Sequence, residues 1–186
     1  MLHKFVRMLC ALMFWGFWGG LSQCYAETNG GRAMNIELKS AAFHEGAMIP
    51  KVYTCDGQNI SPPLSWSGIP AQTKSIALIM DDPDAPRGTW VHWVLFNIPP
   101  DTKALPEKTP LSASLANGAR HGMNSWPKLG YGGPCPPSGI HRYYFKIYAL
   151  DLVLPQQPGM TKAQLLKAME GHILAQGRLM GKYTRK

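Results

Sequence analysis

The chain has 186 residues, 45% of them hydrophobic, six tryptophans and a formal net charge of +8 at pH 7. That is enough apolar material for one ordinary core and too little for two, so a single domain is expected. No basic cluster exceeds the terminal "GKYTRK" and no basic and aromatic stripe is evident. Nucleic acid is therefore not an expected partner, and the charge is explained as well by solubility as by an anionic partner.

Residues 1–26 differ in kind from the rest. Lys4 and Arg7 make a basic start, residues 8–21 are apolar and uncharged, and Cys24-Tyr25-Ala26 precedes Glu27. This predicts a secretory signal peptide over 1–26 and a periplasmic or secreted product of net charge about +6 without a membrane span. The apolar run is short for a span and contains Gly16, Gly19 and Gly20. A lipid-bearing Cys24 and an uncleaved anchor are the alternatives. Residues 27–34 are read as a flexible lead and 35–186 as the single domain.

Along that domain, "MNIELKSAAF" alternates as a strand does, and residues 49–70 are broken by four prolines and two glycines into short extended pieces. "SIALIM" (75–80) predicts a buried strand; "TWVHWVLFNI" (89–98) and "IHRYYFKIYAL" (140–150) predict two more from their aromatic and β-branched content. Most of 99–139 reads as loop. Thr161 is placed to cap a helix running through "KAQLLKAMEGHILAQGRLMG", with Leu165, Leu166, Met169, Ile173 and Leu174 at helical spacing and Gly171 and Gly177 weakening it. The fold class is mainly β, with one or two peripheral helices.

After the predicted signal is removed, Cys55 and Cys135 remain, both in turn-rich segments. An even count in an exported chain permits one disulfide; two unpaired thiols are the alternative. No CxxC or HxxxH spacing marks a metal site, and no cofactor motif is found.

The chemistry lies where strands meet awkward loops. "DDPDAP" places Asp81, Asp82 and Asp84 within four residues, and a solvated turn is the simplest reading of such a run. Strict alternation in the next strand puts Trp90, His92, Val94 and Phe96 on one face and Val91, Trp93, Leu95 and Asn97 on the other. A lone His92 there is more often a hydrogen-bonded core residue than a functional one. In "GGPCPPSGIHRYYFKIYALD", His141, Tyr143, Phe145, Ile147 and Ala149 share an apolar face, leaving Arg142 free to pair with a carboxylate of the aspartate loop. Two histidines, each near the start of an aromatic strand and each preceded by a rigid loop, are expected to converge at one end of a sheet.

"DDPDAPRGTWVHWVLFNIP" and "GGPCPPSGIHRYYFKIYALD", with "CDGQNISPPLSW" and "MEGHILAQGRLMGKY", resemble the signature segments of the phosphatidylethanolamine-binding protein family, in its bacterial Raf kinase inhibitor-like branch. The resemblance covers nearly all of residues 35–183. It implies a large central antiparallel sheet, a second smaller sheet, peripheral helices and a small pocket for phosphate-containing head groups. The pocket residues it implies are Asp82, Asp84, Trp90, His92, Gly133, Pro134, Cys135, His141 and Tyr143, and it makes Ala85–Pro86 a candidate cis bond. On this reading the rim's backbone N–H groups point at an anion, an aspartate fixes a histidine tautomer, and His92 and His141 donate to the ligand, so binding weakens as pH rises. The expected partner is a small anion or phospholipid head group. Two other classes stay open: an enzyme using the His and Asp groups, and a protein-interaction module acting through "MNSWPKLGYGG" and its Trp126. Sheet-edge homodimerisation is implied by the resemblance alone.

Overall fold

The computed structural model describes residues 34–157 and 159–185; the predicted signal peptide and most of the lead lie outside them. Its centre is the strand foreshadowed by the unbroken apolar run at Ile76–Met80. This strand extends to Ser75–Asp82 and is buried along its whole length. A strand covered on both faces has no reason to alternate, which is why its sequence does not.

In chain order the elements are β1 (Met34–Asn35), β2 (Glu37–Lys39), a 3-10 turn (Lys51–Tyr53), β3 (Leu64–Ser67), β4 (Ser75–Asp82), β5 (Trp90–Ile98), β6 (Ala104–Leu105), β7 (Arg120–His121), β8 (His141–Leu150), α1 (Lys162–Met169) and β9 (Ile173–Tyr183). Six strands form one sheet in the order β1-β9-β8-β4-β5-β7, antiparallel except for the β1–β9 pair, and β2-β3-β6 form a smaller antiparallel sheet. One core fills the space between the sheets, joining Ile76, Leu78 and Met80 of β4 to Phe145 and Ile147 of β8 and to Leu64 and Trp66 of β3. The second lies under α1, where Ala77, Ile79, Val94 and Phe96 meet Leu165 and Met169. The fold is mainly β, as expected.

The C-terminal region differs from its predicted form. Thr161 does cap α1, in a reciprocal capping box with Gln164, but the helix ends at Met169. Gly171 takes a left-handed φ of 77°, and the chain re-emerges as the eleven-residue strand β9. The inward positions of β9 are Ala175, Gly177, Leu179, Gly181 and Tyr183, so two of five carry no side chain and the two-residue period is hidden. Both glycines are dictated by packing. A Cβ on Gly177 would lie 2.0 Å from the Ile36 carbonyl oxygen, and one on Gly181 would lie 2.5 Å from the Ile49 side chain. Gly177→Ala is expected to destabilise the domain by about 1–3 kcal/mol through overpacking, which urea denaturation would measure. An unchanged midpoint would show that the Ile36 backbone yields at no cost.

Cys55 and Cys135 form a disulfide with a Cα–Cα distance of 5.4 Å. The Ala85–Pro86 bond is trans, as are all described peptide bonds. The Gly88 N–H donates to the Ala85 carbonyl across a four-residue turn, with Pro86 at the second position, where a trans proline fits.

Candidate functional site

The site grows from a fault in the β4–β5 ladder. Met80 pairs with Trp93, but the next residue, Asp81, pairs with Val91, so His92 is the extra residue of a β-bulge. The bulge breaks the strict alternation expected for this strand: Trp93 joins the core between the sheets and Trp90 and His92 line a cavity beside that core's Tyr143, while Val94 and Phe96 turn to α1. Two loop contacts hold the bulge. The Ser125 N–H donates to the Val91 carbonyl and the Gly132 N–H to the His92 carbonyl.

The aspartates are not a solvated turn. Asp81 and Asp82 are strand residues, 0% and 3% exposed, and each of the three acids has its own cationic or imidazole partner. Asp81, on the α1 side, accepts from Lys146 Nζ at 2.7 and 2.9 Å and from Lys162 Nζ. Asp82, on the opposite side, accepts from His141 Nδ1 at 2.7 Å. Asp84 accepts from Arg142 Nε at 2.9 Å and Nη2 at 2.6 Å; the guanidinium holds this carboxyl down at about 2. Successive acids point in different directions, so their mutual repulsion is met by separate partners on β8 and α1.

Between β4, β5, β8 and two loops lies a cavity of about 210 Å³, lined by Asp82, Trp90, His92, Trp126, Cys135, His141 and Tyr143, with Ala85, Pro86, Pro136 and Pro137 completing its wall. Its size suits a ligand smaller than a typical drug-sized molecule. Of the nine residues singled out in the sequence, six line it. Asp84 is turned to Arg142. Pro134 offers its carbonyl to the Cys55 N–H. Gly133 does not aim its amide at the cavity: its N–H donates to Asn59 Oδ1 at 2.7 Å. It is glycine because a Cβ there would lie 2.4 Å from the Tyr53 carbonyl oxygen. Trp126 was legible only as an aromatic loop residue. Its ring closes the cavity edge-on to Trp90 and His92, at 5.3 and 5.0 Å between centroids, and nothing local in the sequence signals that long-range contact.

The buried histidines separate by chemistry. His121 is a satisfied core residue: Nδ1 accepts from Trp93 Nε1 at 3.1 Å and Nε2 donates to the Pro110 carbonyl at 2.9 Å. His92 and His141 each commit only Nδ1, His92 to the Gly132 carbonyl at 2.7 Å and His141 to Asp82. Each therefore has Nε2 left for the cavity it lines. Burial lowers the His92 value to about 4, against the pull of the Gly132 carbonyl and the Asp82 charge. Tyr143 is held well above the usual phenol range, by burial first and by Asp82 next.

Two further polar groups are conspicuous. Among the described residues five buried side-chain polar atoms lack a hydrogen-bond partner, and two of them, Trp90 Nε1 and Tyr143 Oη, belong to residues lining this cavity. The Cys135 amide lies near the Tyr143 hydroxyl without meeting hydrogen-bond geometry. Buried polar atoms are rarely left unpaired in a folded protein.

A family profile described as phosphatidylethanolamine-binding protein matches residues 39–184. A UPF0098 protein of Methanothermobacter thermautotrophicus is 55% identical over 150 residues, covering 81% of this chain and 99% of its own length. A UPF0098 protein of Chlamydia muridarum is 49% identical over 157 residues, covering 80% and 98%. Among solved structures, a phosphatidylethanolamine-binding protein homologue from Chlamydia trachomatis matches with a TM-score of 0.75 at 45% identity, over 84% of this chain and all of its own. E. coli YbcL, described as a member of the mammalian family, matches with a TM-score of 0.74 at 32% identity, over 81% and 99%. With both of its sheets and nearly all of its described length accounted for in this way, the chain belongs to the phosphatidylethanolamine-binding protein family.

Proposed function

We propose that this chain is an exported binding protein whose cavity holds a small oxyanion, a phosphate-containing head group or a similar anion. The observation that carries the reading is the pair of unpartnered buried donors, Trp90 Nε1 and Tyr143 Oη, beside the His141–Asp82 pair. An unpaired N–H and an unpaired O–H on residues that line a cavity call for an acceptor, and an anionic acceptor makes the stronger bonds. Asp82 holds the His141 ring through Nδ1, which leaves Nε2 on the other side of the ring as the atom able to meet a ligand.

The test is calorimetric titration of the domain from Glu27 onward with phosphate and phosphorylethanolamine, beside Tyr143→Phe and His141→Ala. Wild type is expected to bind saturably. Loss of one hydrogen bond to a charged ligand costs about 1.5–3 kcal/mol, so Tyr143→Phe should weaken binding by roughly 10- to 150-fold. Folded wild type that binds nothing up to millimolar ligand ends the proposal. The export component is checked by sequencing the N-terminus of secreted material, expected to begin at Glu27. A hydrolase reading draws on the same His141–Asp82 pair, which has the form of an oriented general base; turnover of a phosphomonoester by wild type, lost in Asp82→Asn, is what it requires.

A further inference from the structure

The cavity presents donors, but it also presents an acceptor, and the acceptor restricts what can bind. His92 is 2% exposed and sits in a frame that disfavours a positive charge. The edges of Trp126 and Tyr143 flank it at 5.0 and 5.2 Å between centroids. The groups facing it are Asp82 on β4, His141 and Tyr143 on β8, and the Gly132 and Gly133 backbone from the loop, while Asp81 acts on it only at a distance, from the far side of β4. Asp82 is occupied by His141 and by the Asp84 N–H, and Asp81 by its lysines, so no carboxylate is bonded to His92. Its Nδ1 must carry a proton, because a carbonyl only accepts. In the neutral ring Nε2 is then a bare lone pair facing the cavity.

We infer that the cavity selects an oxyanion that brings its own proton, namely dihydrogen phosphate or a phosphomonoester monoanion, with the ligand O–H donating to His92 Nε2. The inference rests on the binding function proposed above. Trp90 Nε1 and Tyr143 Oη receive the unprotonated oxygens. A fully deprotonated oxyanion of the same shape sets one of its oxygens against the His92 lone pair, leaving that buried acceptor unsatisfied. His92 is thus a specificity residue, and its neutrality, rather than any added positive charge, performs the discrimination.

The decisive pair of probes is methyl phosphate and methyl sulfate. At pH 5 both are monoanions of one shape, and only the phosphate carries an O–H. His92, at about 4, is then mostly neutral. Methyl phosphate is expected to bind roughly 10- to 100-fold more tightly than methyl sulfate, the range set by one buried acceptor left unmade. A phosphomonoester loses its second proton near pH 6. The affinity ratio of the two ligands should therefore fall about tenfold per pH unit above that point. Using the ratio cancels titration of those protein groups that act on both ligands alike.

Below about pH 4 His92 becomes a donor, and methyl sulfate should gain. Inorganic phosphate, run alongside, separates free phosphate from an esterified end group as the better-held form; either ranking over methyl sulfate supports the inference. His92→Gln, whose amide can donate, should bring the two methyl esters to within a few-fold of each other. Equal binding of methyl phosphate and methyl sulfate by wild type at pH 5, or tighter sulfate, overturns the inference and leaves the binding function standing. Failure of both to bind overturns the two together.

Discussion

Replacing Cys55 and Cys135 with serine together is expected to lower the stability of the domain by about 4 kcal/mol. The bridge closes a loop spanning 80 residues, and the chain-entropy treatment assigns about that much to a loop of such length. For a domain of roughly 150 residues, each kcal/mol is worth about 2–4 °C, so the melting temperature should fall by about 8–16 °C. The same bridge sets the rim of the cavity. Cys135 lines the cavity, and the segment around it is fastened to residues 53–59 by three hydrogen bonds: Tyr131 Oη to the Tyr53 carbonyl, Gly133 N–H to Asn59 Oδ1, and Cys55 N–H to the Pro134 carbonyl. These bonds survive in the serine pair, so the domain should still fold, with a looser rim and weaker phosphate binding. Melting curves with and without dithiothreitol give the check. A melting temperature unmoved by reduction, with both thiols shown to be free, would mean that the hydrogen bonds alone hold the rim.

Asp81→Ala is the second change expected to have a large effect, about 3–5 kcal/mol of destabilisation. The carboxylate is wholly buried and receives two lysines, one from the central sheet and one from the first turn of α1. Removing it leaves two ammonium groups facing each other at the edge of the second core. The reverse truncations should cost much less, because the lysine side chains are 32% and 22% exposed and a remaining lysine still answers the acid. Replacing all three at once, with Asp81→Leu, Lys146→Met and Lys162→Met, should recover most of the loss, since an ion cluster exchanged for apolar packing is often neutral. Urea midpoints of the four variants decide it. If Asp81→Ala costs no more than Lys162→Ala, the cluster is solvated in practice and does not anchor α1.

The sheet was legible in the sequence because its three long strands carry local signals: an unbroken apolar run at β4 and aromatic, β-branched runs at β5 and β8. β9 was not, for a specific reason. Gly177 and Gly181 stand at inward positions, where Ile36, Ile49 and Phe43 leave no room for a Cβ, and a residue without a side chain adds nothing to a hydrophobic period. A helical spacing in the neighbouring leucines then stood out by default. Similarly, the cluster Asp81, Asp82, Asp84 resembles a solvated turn until β8 and α1 bring up His141, Arg142, Lys146 and Lys162, from 58 to 81 positions away in the chain.

What the sequence alone determined is the class and the cast: a β-rich domain, two cysteines able to pair, and the family segments that contain the aspartates, histidines and aromatic residues. Their roles were decided only in three dimensions. One extra residue in β5 moves His92 and Trp93 onto the same side, the long loop folds Trp126 over the cavity, and packing against Tyr53 and Asn59 turns Gly133 away from it. Each of these depends on contacts between residues far apart in the chain, where steric fit and desolvation set the outcome. Local spacing carries no record of either.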